Sequence, residues 1–168
     1  MRGNNEKKQT RFFVFFSISM FGAMGAAFSV NLFTLYIFYE LITFSTYPLV
    51  AHKETDEALQ GARRYLTYLL LTSVIFFLPA LIYVYNVAGT LEFTLGGVFN
   101  NDIPNKKILG VMLLFFVFGS AKAALMPFHL WLPSAMVAPT PVSALLHAVA
   151  VVKTGVFVII RVFVYIFG

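Results

Sequence analysis

Cysteine is absent from the 168 residues, which excludes disulfide frameworks, thiol redox chemistry, iron–sulfur ligation and thiolate zinc sites. Charge is scarce as well. Asp, Glu, Lys and Arg make up 11% of the chain, where a soluble domain carries about a quarter. So little polar surface cannot coat a domain in water, and disorder needs the opposite composition, low hydrophobicity with high charge. Also missing are a phosphate-binding Gly-rich loop, an Asp/His/Cys cluster at metal-ligand spacing and a nucleophile–base constellation. No cofactor or metal is expected. His129 and His147 do not suit axial haem ligation, since one of them falls at a helix end. What fills the chain is apolar: 60% hydrophobic residues, 20 phenylalanines and a mean hydropathy of +0.83. The net charge of +5 does not mark a nucleic-acid face, because the basic residues sit at the ends of apolar runs or inside them. The composition is that of an integral membrane protein.

A bilayer core about 30 Å thick takes about 20 apolar residues per helix. After a basic tail over residues 1–11, five runs meet that length, at about 12–30, 32–51, 65–87, 108–126 and 142–167. The expected fold is therefore all-α, five transmembrane helices forming one unit over residues 12–168. Pro79 should kink the third span, and Gly96-Gly97, Asn100-Asn101 and Pro104 mark a loop before the fourth. Pro127, Pro133, Pro139 and Pro141 forbid one regular helix after the fourth run, so a broken helix near Pro127 is expected. Within FGAMGAA, Gly22/Ala26 and Ala23/Ala27 have the small-xxx-small spacing that lets helices approach closely. Lys and Arg number seven in the N-terminal tail and the link after span two, against Lys106 and Lys107 on the other side. The positive-inside rule then puts the N-terminus in the cytoplasm and the C-terminus outside.

Five ionisable residues fall inside apolar runs: Glu40, Lys122, His147 and Lys153, with Arg161 near the outer end of the fifth. A charge at a helix centre costs about 2.5–3.5 kcal/mol on insertion scales, so such residues mark ion pathways by default. Glu40 is about nine residues from either end of its run, roughly 13 Å at the helical rise, too far to snorkel. A carboxylate and an ammonium that meet in low dielectric both stay charged, and parting them favours the neutral forms. That exchange is the chemistry of a proton pump or antiporter; a static structural pair is the plainer alternative. Ser120, Thr140, Ser143 and Thr154 are candidates to line a water path beside the break. Arg161 is expected to snorkel, His129 and Trp131 to sit in an interfacial turn, and His52 to be solvated.

The segment GSAKAALMPFHLWLPSAMVAPTPVSALLHAVAVVKTG closely resembles the antiporter-like, proton-translocating subunits shared by respiratory complex I, membrane-bound hydrogenases and Mrp-type sodium/proton antiporters. NLFTLYIFYELITFSTYPLV is similar to that family's glutamate-bearing helix, and EALQGARRYLTY to the helix that follows. The resemblance implies the first of two inverted five-helix repeats, family helices four to eight. It makes Glu40 the helix-five glutamate, Lys122 the lysine of the broken helix seven, and His147 with Lys153 the helix-eight relay. Lys153 within AVVKTG is similar to Mrp-type subunits, with the D subunit nearest in character. The second repeat and its outlet residue have no counterpart in the sequence, so the resemblance implies a half-channel completed by another chain, or a split or truncated product. The implied function is a non-redox, proton-translocating subunit in a bacterial or archaeal cell membrane. Its implied partners are lipid and other membrane subunits of a large complex, a second antiporter-like half among them, with no nucleic acid. The alternative function is a non-transporting membrane scaffold that anchors a hydrophilic enzyme arm.

Overall fold

In the computed structural model, residues 8–99 and 106–168 are described. Helix α1, Gln9–Ala27, turns through Phe28–Val30 into α2, Leu32–Val50. The turn is set by Asn31, whose side-chain oxygen accepts a hydrogen bond from the Thr34 amide at 2.7 Å and so caps α2. Ser19, Gly22 and Ala26 are buried on the face that α1 turns to α2, so of the two small-residue pairs it is Gly22/Ala26 that packs the hairpin. Ala23 and Ala27 lie on another face and line a groove beside Val149, Lys153 and Phe157.

Helix α3, Asp56–Ala88, starts earlier than the apolar run that suggested it. The hydroxyl of Thr55 caps the Ala58 amide, and Asp56 and Glu57 occupy the first turn, where the helix dipole favours acids. Ala58, Ala62, Tyr65 and Leu69 form the buried face, while Glu57, Gln60, Arg63 and Arg64 stay exposed. The polar link is thus half helix. A π-turn over Ser73–Phe77 precedes Pro79, which has no amide to give to the preceding turn.

Helix α4, Lys106–Gly119, stops well before Pro127. At Gly119 it meets the backbone of α3: a Cβ there would stand 2.6 Å from the Phe77 nitrogen. The chain then runs through two 3-10 turns, Ala121–Ala123 and Phe128–Leu130, with Ala124 in the left-handed region and a cis Met126–Pro127 bond. The break therefore begins at Gly119, and Lys122 lies within it rather than in a regular helix. The short α5, Trp131–Ala135, packs on α3, and α6, Thr140–Phe167, starts with Pro141 in its first turn and carries π-turns over Leu145–Val149 and Phe163–Phe167. The expected turn residues Asn100, Asn101 and Pro104, and the tail residues Arg2 and Lys7, lie outside the described residues.

Among the described residues the fold is helical apart from one isolated bridge, Asn31–Glu92. By length and apolarity α1, α3 and α6 are membrane-span candidates. Helix α2 is as long as α1 but is diluted by Glu40 and its Tyr, Thr and Ser residues, and α4 is cut short at Gly119. Two apolar clusters fill the interior. One gathers Leu49, Tyr65, Ala121, Trp131 and Leu145; the other gathers Tyr39, Phe77, Phe116 and Val158. The seam between them runs past Lys122.

Candidate functional site: a buried lysine in the helix break

Lys122 is fully buried. A charge with no water must find dipoles and a counter-charge. Its Nζ donates to the main-chain carbonyl of Tyr39 and lies 3.3 Å from the centroid of the Tyr39 ring, a cation–π contact. The Tyr39 hydroxyl in turn donates to the Gly119 carbonyl at 3.1 Å and accepts from the Lys122 amide at 3.4 Å. One tyrosine thus ties α2 to the end of α4 and to the break.

Glu40, the next residue along, does not pair directly with Lys122: the ion pairs among the described residues are Lys8–Glu54 and Arg11–Glu54. It is nonetheless the neighbour in sequence of the residue that holds the Lys122 ammonium. Glu40 Oε1 accepts from the Ser73 hydroxyl in the π-turn of α3, and the Tyr36 hydroxyl lies 3.3 Å from that of Ser73. Glu40 Oε2 is buried without a hydrogen-bond partner among the described residues, as is the Ser120 hydroxyl beside Lys122. Buried polar atoms in this condition are where ordered water is held.

Two features of α6 and α5 frame the break. Gly155 lies against it so closely that a Cβ would stand 2.2 Å from the Ala123 nitrogen. Trp131 is fully buried, not interfacial as its sequence position suggested. Its indole N–H donates to the Ala121 carbonyl at 2.9 Å, and its ring meets Tyr65 edge-on. The hydroxyl of Tyr65 is 2.6 Å from that of Thr46 on α2.

The residues of α6 are not gathered around Lys122 in the same way. His147 sits half-buried in the first π-turn, with Nε2 unpartnered among the described residues. Lys153 lies two residues before the Gly155 contact, level with the break, but on the exposed face with Val149, Val156 and Ile160. It borders a groove of about 330 Å³ against Met20, Ala23, Met24 and Ala27 of α1. Of the hydroxyl residues expected along a water path, Ser120 and Thr154 are buried, Ser143 is half-buried and Thr140 is exposed.

One other expectation needs correction, that for His52. Arg161 reaches the α1–α2 turn: its guanidinium donates to the Ser29 carbonyl at 2.5 Å and lies 4.5 Å from the centroid of the Phe93 ring. His52 is buried, edge-on to Phe12, because the turn after α2 folds it under α1. His129 is half-buried in the turn beside Trp131, with Nδ1 buried. Tyr39, Ser73 and Trp131 are the site residues that sequence reasoning missed. Their only signal was an aromatic or hydroxyl group close to an ionisable residue in sequence or in the following helix.

Comparisons with known proteins converge on this architecture. A family profile described as NADH:quinone oxidoreductase/Mrp antiporter, transmembrane, matches residues 29–167. A putative antiporter subunit (mnhA2) of Staphylococcus aureus is 32% identical over 154 residues, covering 90% of this chain and 19% of that protein. A probable K(+)/H(+) antiporter component of Rhizobium meliloti is 36% identical over 153 residues, covering 90% of this chain and 15% of that protein. A chain from the structure of the membrane-bound sulfane sulfur reductase, an archaeal respiratory membrane complex, superposes with a TM-score of 0.79 at 32% identity, covering 88% of this chain and 30% of the other. The chain thus spans less than a fifth of the curated relatives' length and under a third of the solved one.

Proposed function

The chain belongs to the NADH:quinone oxidoreductase/Mrp antiporter transmembrane family, and from that premise we propose that it carries protons through the membrane by way of Lys122. It is an integral membrane protein of the antiporter-like kind found in Mrp-type and respiratory assemblies. The observation that carries the proposal is a fully buried lysine in a helix break, with a carboxylate nearby that it does not touch. A proton-bearing group must exchange partners during a cycle, and a permanent ion pair would not. In this reading Glu40 sets the charge state of Lys122. His147 passes protons on, and Lys153 hands them to a neighbouring chain across the face it shares with the groove. The exposed position of Lys153 supports a partner at that face, because an ammonium left against lipid at mid-depth is costly. That partner is a second antiporter-like half within a larger membrane complex. The unit crosses the membrane five times, with α2 and α4 joining α1, α3 and α6, its N-terminus cytoplasmic and its C-terminus outside.

The test is proton uptake by the intact assembly in sealed liposomes. Lys122→Met and Glu40→Gln should each cut uptake by roughly a hundredfold, the scale of losing a proton-transfer group, while the complex still assembles. Uptake at the unsubstituted rate in either assembled variant sinks the relay. It would leave the chain as a membrane scaffold that anchors a hydrophilic enzyme arm.

A further inference from the structure

We propose that Tyr39 is a positioning residue that gives the Lys122 ammonium a resting seat away from Glu40, making the lysine a two-position carrier. The inference rests on the proton-carrying reading of Lys122 above. Three observations define the seat. The ammonium is held from two directions by one residue, through the Tyr39 carbonyl and through the face of its ring. The ring itself is fixed, since its hydroxyl is bonded to both Gly119 and Lys122 main-chain atoms and its face stacks on Phe77 with centroids 5.6 Å apart. The second position is already built: Glu40 uses one oxygen on Ser73 and keeps the other, Oε2, buried and unpartnered among the described residues.

Both positions belong to α2, since Tyr39 and Glu40 are successive residues, and the Tyr39 seat is a main-chain carbonyl and a ring face; the move the proposal requires is a change of the Lys122 rotamer. In the Tyr39 seat the ammonium has dipoles and a quadrupole but no contacting counter-charge. At Glu40 Oε2 it has a full ion pair. The two states differ in how strongly the proton is held, and no broken salt bridge is needed to start the exchange. A desolvated cation–π contact is worth about 2 kcal/mol, enough to move a two-state balance more than tenfold. Removing the ring should therefore leave Lys122 on Glu40 and slow proton uptake by about tenfold.

The experiment uses the native assembly with labelled lysine and glutamate. It reads the solid-state NMR dipolar coupling between the Lys122 side-chain nitrogen and the Glu40 carboxyl carbon, identified by its disappearance in Lys122→Met. The coupling should be weak in the unsubstituted protein, strong in Tyr39→Leu, and weak again in Tyr39→Phe, which keeps ring and carbonyl. Uptake should fall in Tyr39→Leu and stay within about threefold of normal in Tyr39→Phe, as a positioning role through the ring requires. A strong coupling in the unsubstituted protein overturns the proposal in favour of a static ion pair. So does a coupling that stays weak in Tyr39→Leu, or a Tyr39→Phe that loses transport as fully as Lys122→Met, which would make the hydroxyl itself a relay group. If Tyr39→Leu does not assemble, the couplings in the unsubstituted protein and in Tyr39→Phe still decide. Unchanged uptake in Lys122→Met is a separate failure, that of the reading on which the seat depends.

Discussion

Trp131 protects the break through a single N–H. The Ala121 carbonyl it reaches also accepts from the Ala124 amide at 2.9 Å, so the indole adds a second bond that ties α5 to the break. Trp131→Phe keeps most of the ring volume against Tyr65, removes the indole bond and leaves the carbonyl its Ala124 partner. Losing one such hydrogen bond costs about 0.5–1.5 kcal/mol net. The thermal unfolding midpoint of the detergent-purified assembly should drop accordingly, and a midpoint equal to the unsubstituted one would show that the indole bond adds nothing to the fold. At this scale the sequence reveals charge better than it reveals service. Glu40, Lys122, His147 and Lys153 stand out because each interrupts an apolar run. Tyr39 and Trp131 are themselves apolar enough to pass as lipid-facing aromatics, and nothing in their spacing says that a hydroxyl or an indole N–H is spent on a broken helix. The partner of Arg161 was hidden for a related reason: its bond to Ser29 joins residues 132 positions apart.

Helix α6 reaches the break only because residue 155 has no side chain. Gly155→Ala would set a Cβ against the Ala123 nitrogen and the Lys122 carbonyl carbon, both backbone atoms that cannot turn aside. The expected result is a destabilisation of about 1–3 kcal/mol together with loss of proton uptake. Gly110→Ala in α4 is the matched control, since nothing lies within 4 Å of that position. It should be neutral or stabilising by up to about 1 kcal/mol, and equal effects of the two substitutions would remove the close-packing argument. Helix ends follow the same logic of local chemistry. Glu54 in the α2–α3 turn binds Lys8 at 2.8 Å and Arg11 at 2.9 Å, and these cations hold its carboxyl below the usual carboxylate range. A carboxyl whose pKa is lowered by folding adds stability above its unfolded pKa and loses it as pH falls through the folded one. The clamp between α1 and the turn should therefore hold at neutral pH and release in acid. Amide exchange at the start of α1 should quicken below the carboxylate range, and Glu54→Gln should be as fast at pH 7 as the unsubstituted chain is in acid. The apolar runs announced these helices well, whereas their ends did not follow hydropathy. Helix α3 begins in polar sequence because Thr55 caps it, and α4 stops in apolar sequence at Gly119, where it packs closely on Phe77.

At the scale of the molecule, the outer surface is studded with exposed Phe, Ile, Leu and Val, among them Phe13, Phe21, Phe44 and Ile82. That shell suits lipid, and on α6 Lys153 interrupts it. Because the chain has no cysteine, single cysteines can be placed at will. In the native assembly, Val156→Cys beside Lys153 should crosslink to a neighbouring chain, and Phe13→Cys on α1 should not. A lipid-like labelling pattern at both positions would place the partner elsewhere. The membrane class and the helical order could be read from composition and from runs of apolar residues. Which face of α6 carries Lys153 could not, because the π-turn over Leu145–Val149 shifts the register of every residue after it by a fraction of a turn.

The grip of Arg161 on Ser29 also orders events in time. The α1–α2 turn leaves the ribosome more than a hundred residues before the arginine that fastens it. Before then the turn is held without the cation: the Leu32 amide donates to the Leu91 carbonyl at 2.8 Å, the Phe93 amide to the Val30 carbonyl at 3.4 Å, and Gly22 packs on α2. Synthesis of the arginine then joins α6 to a turn that is already formed.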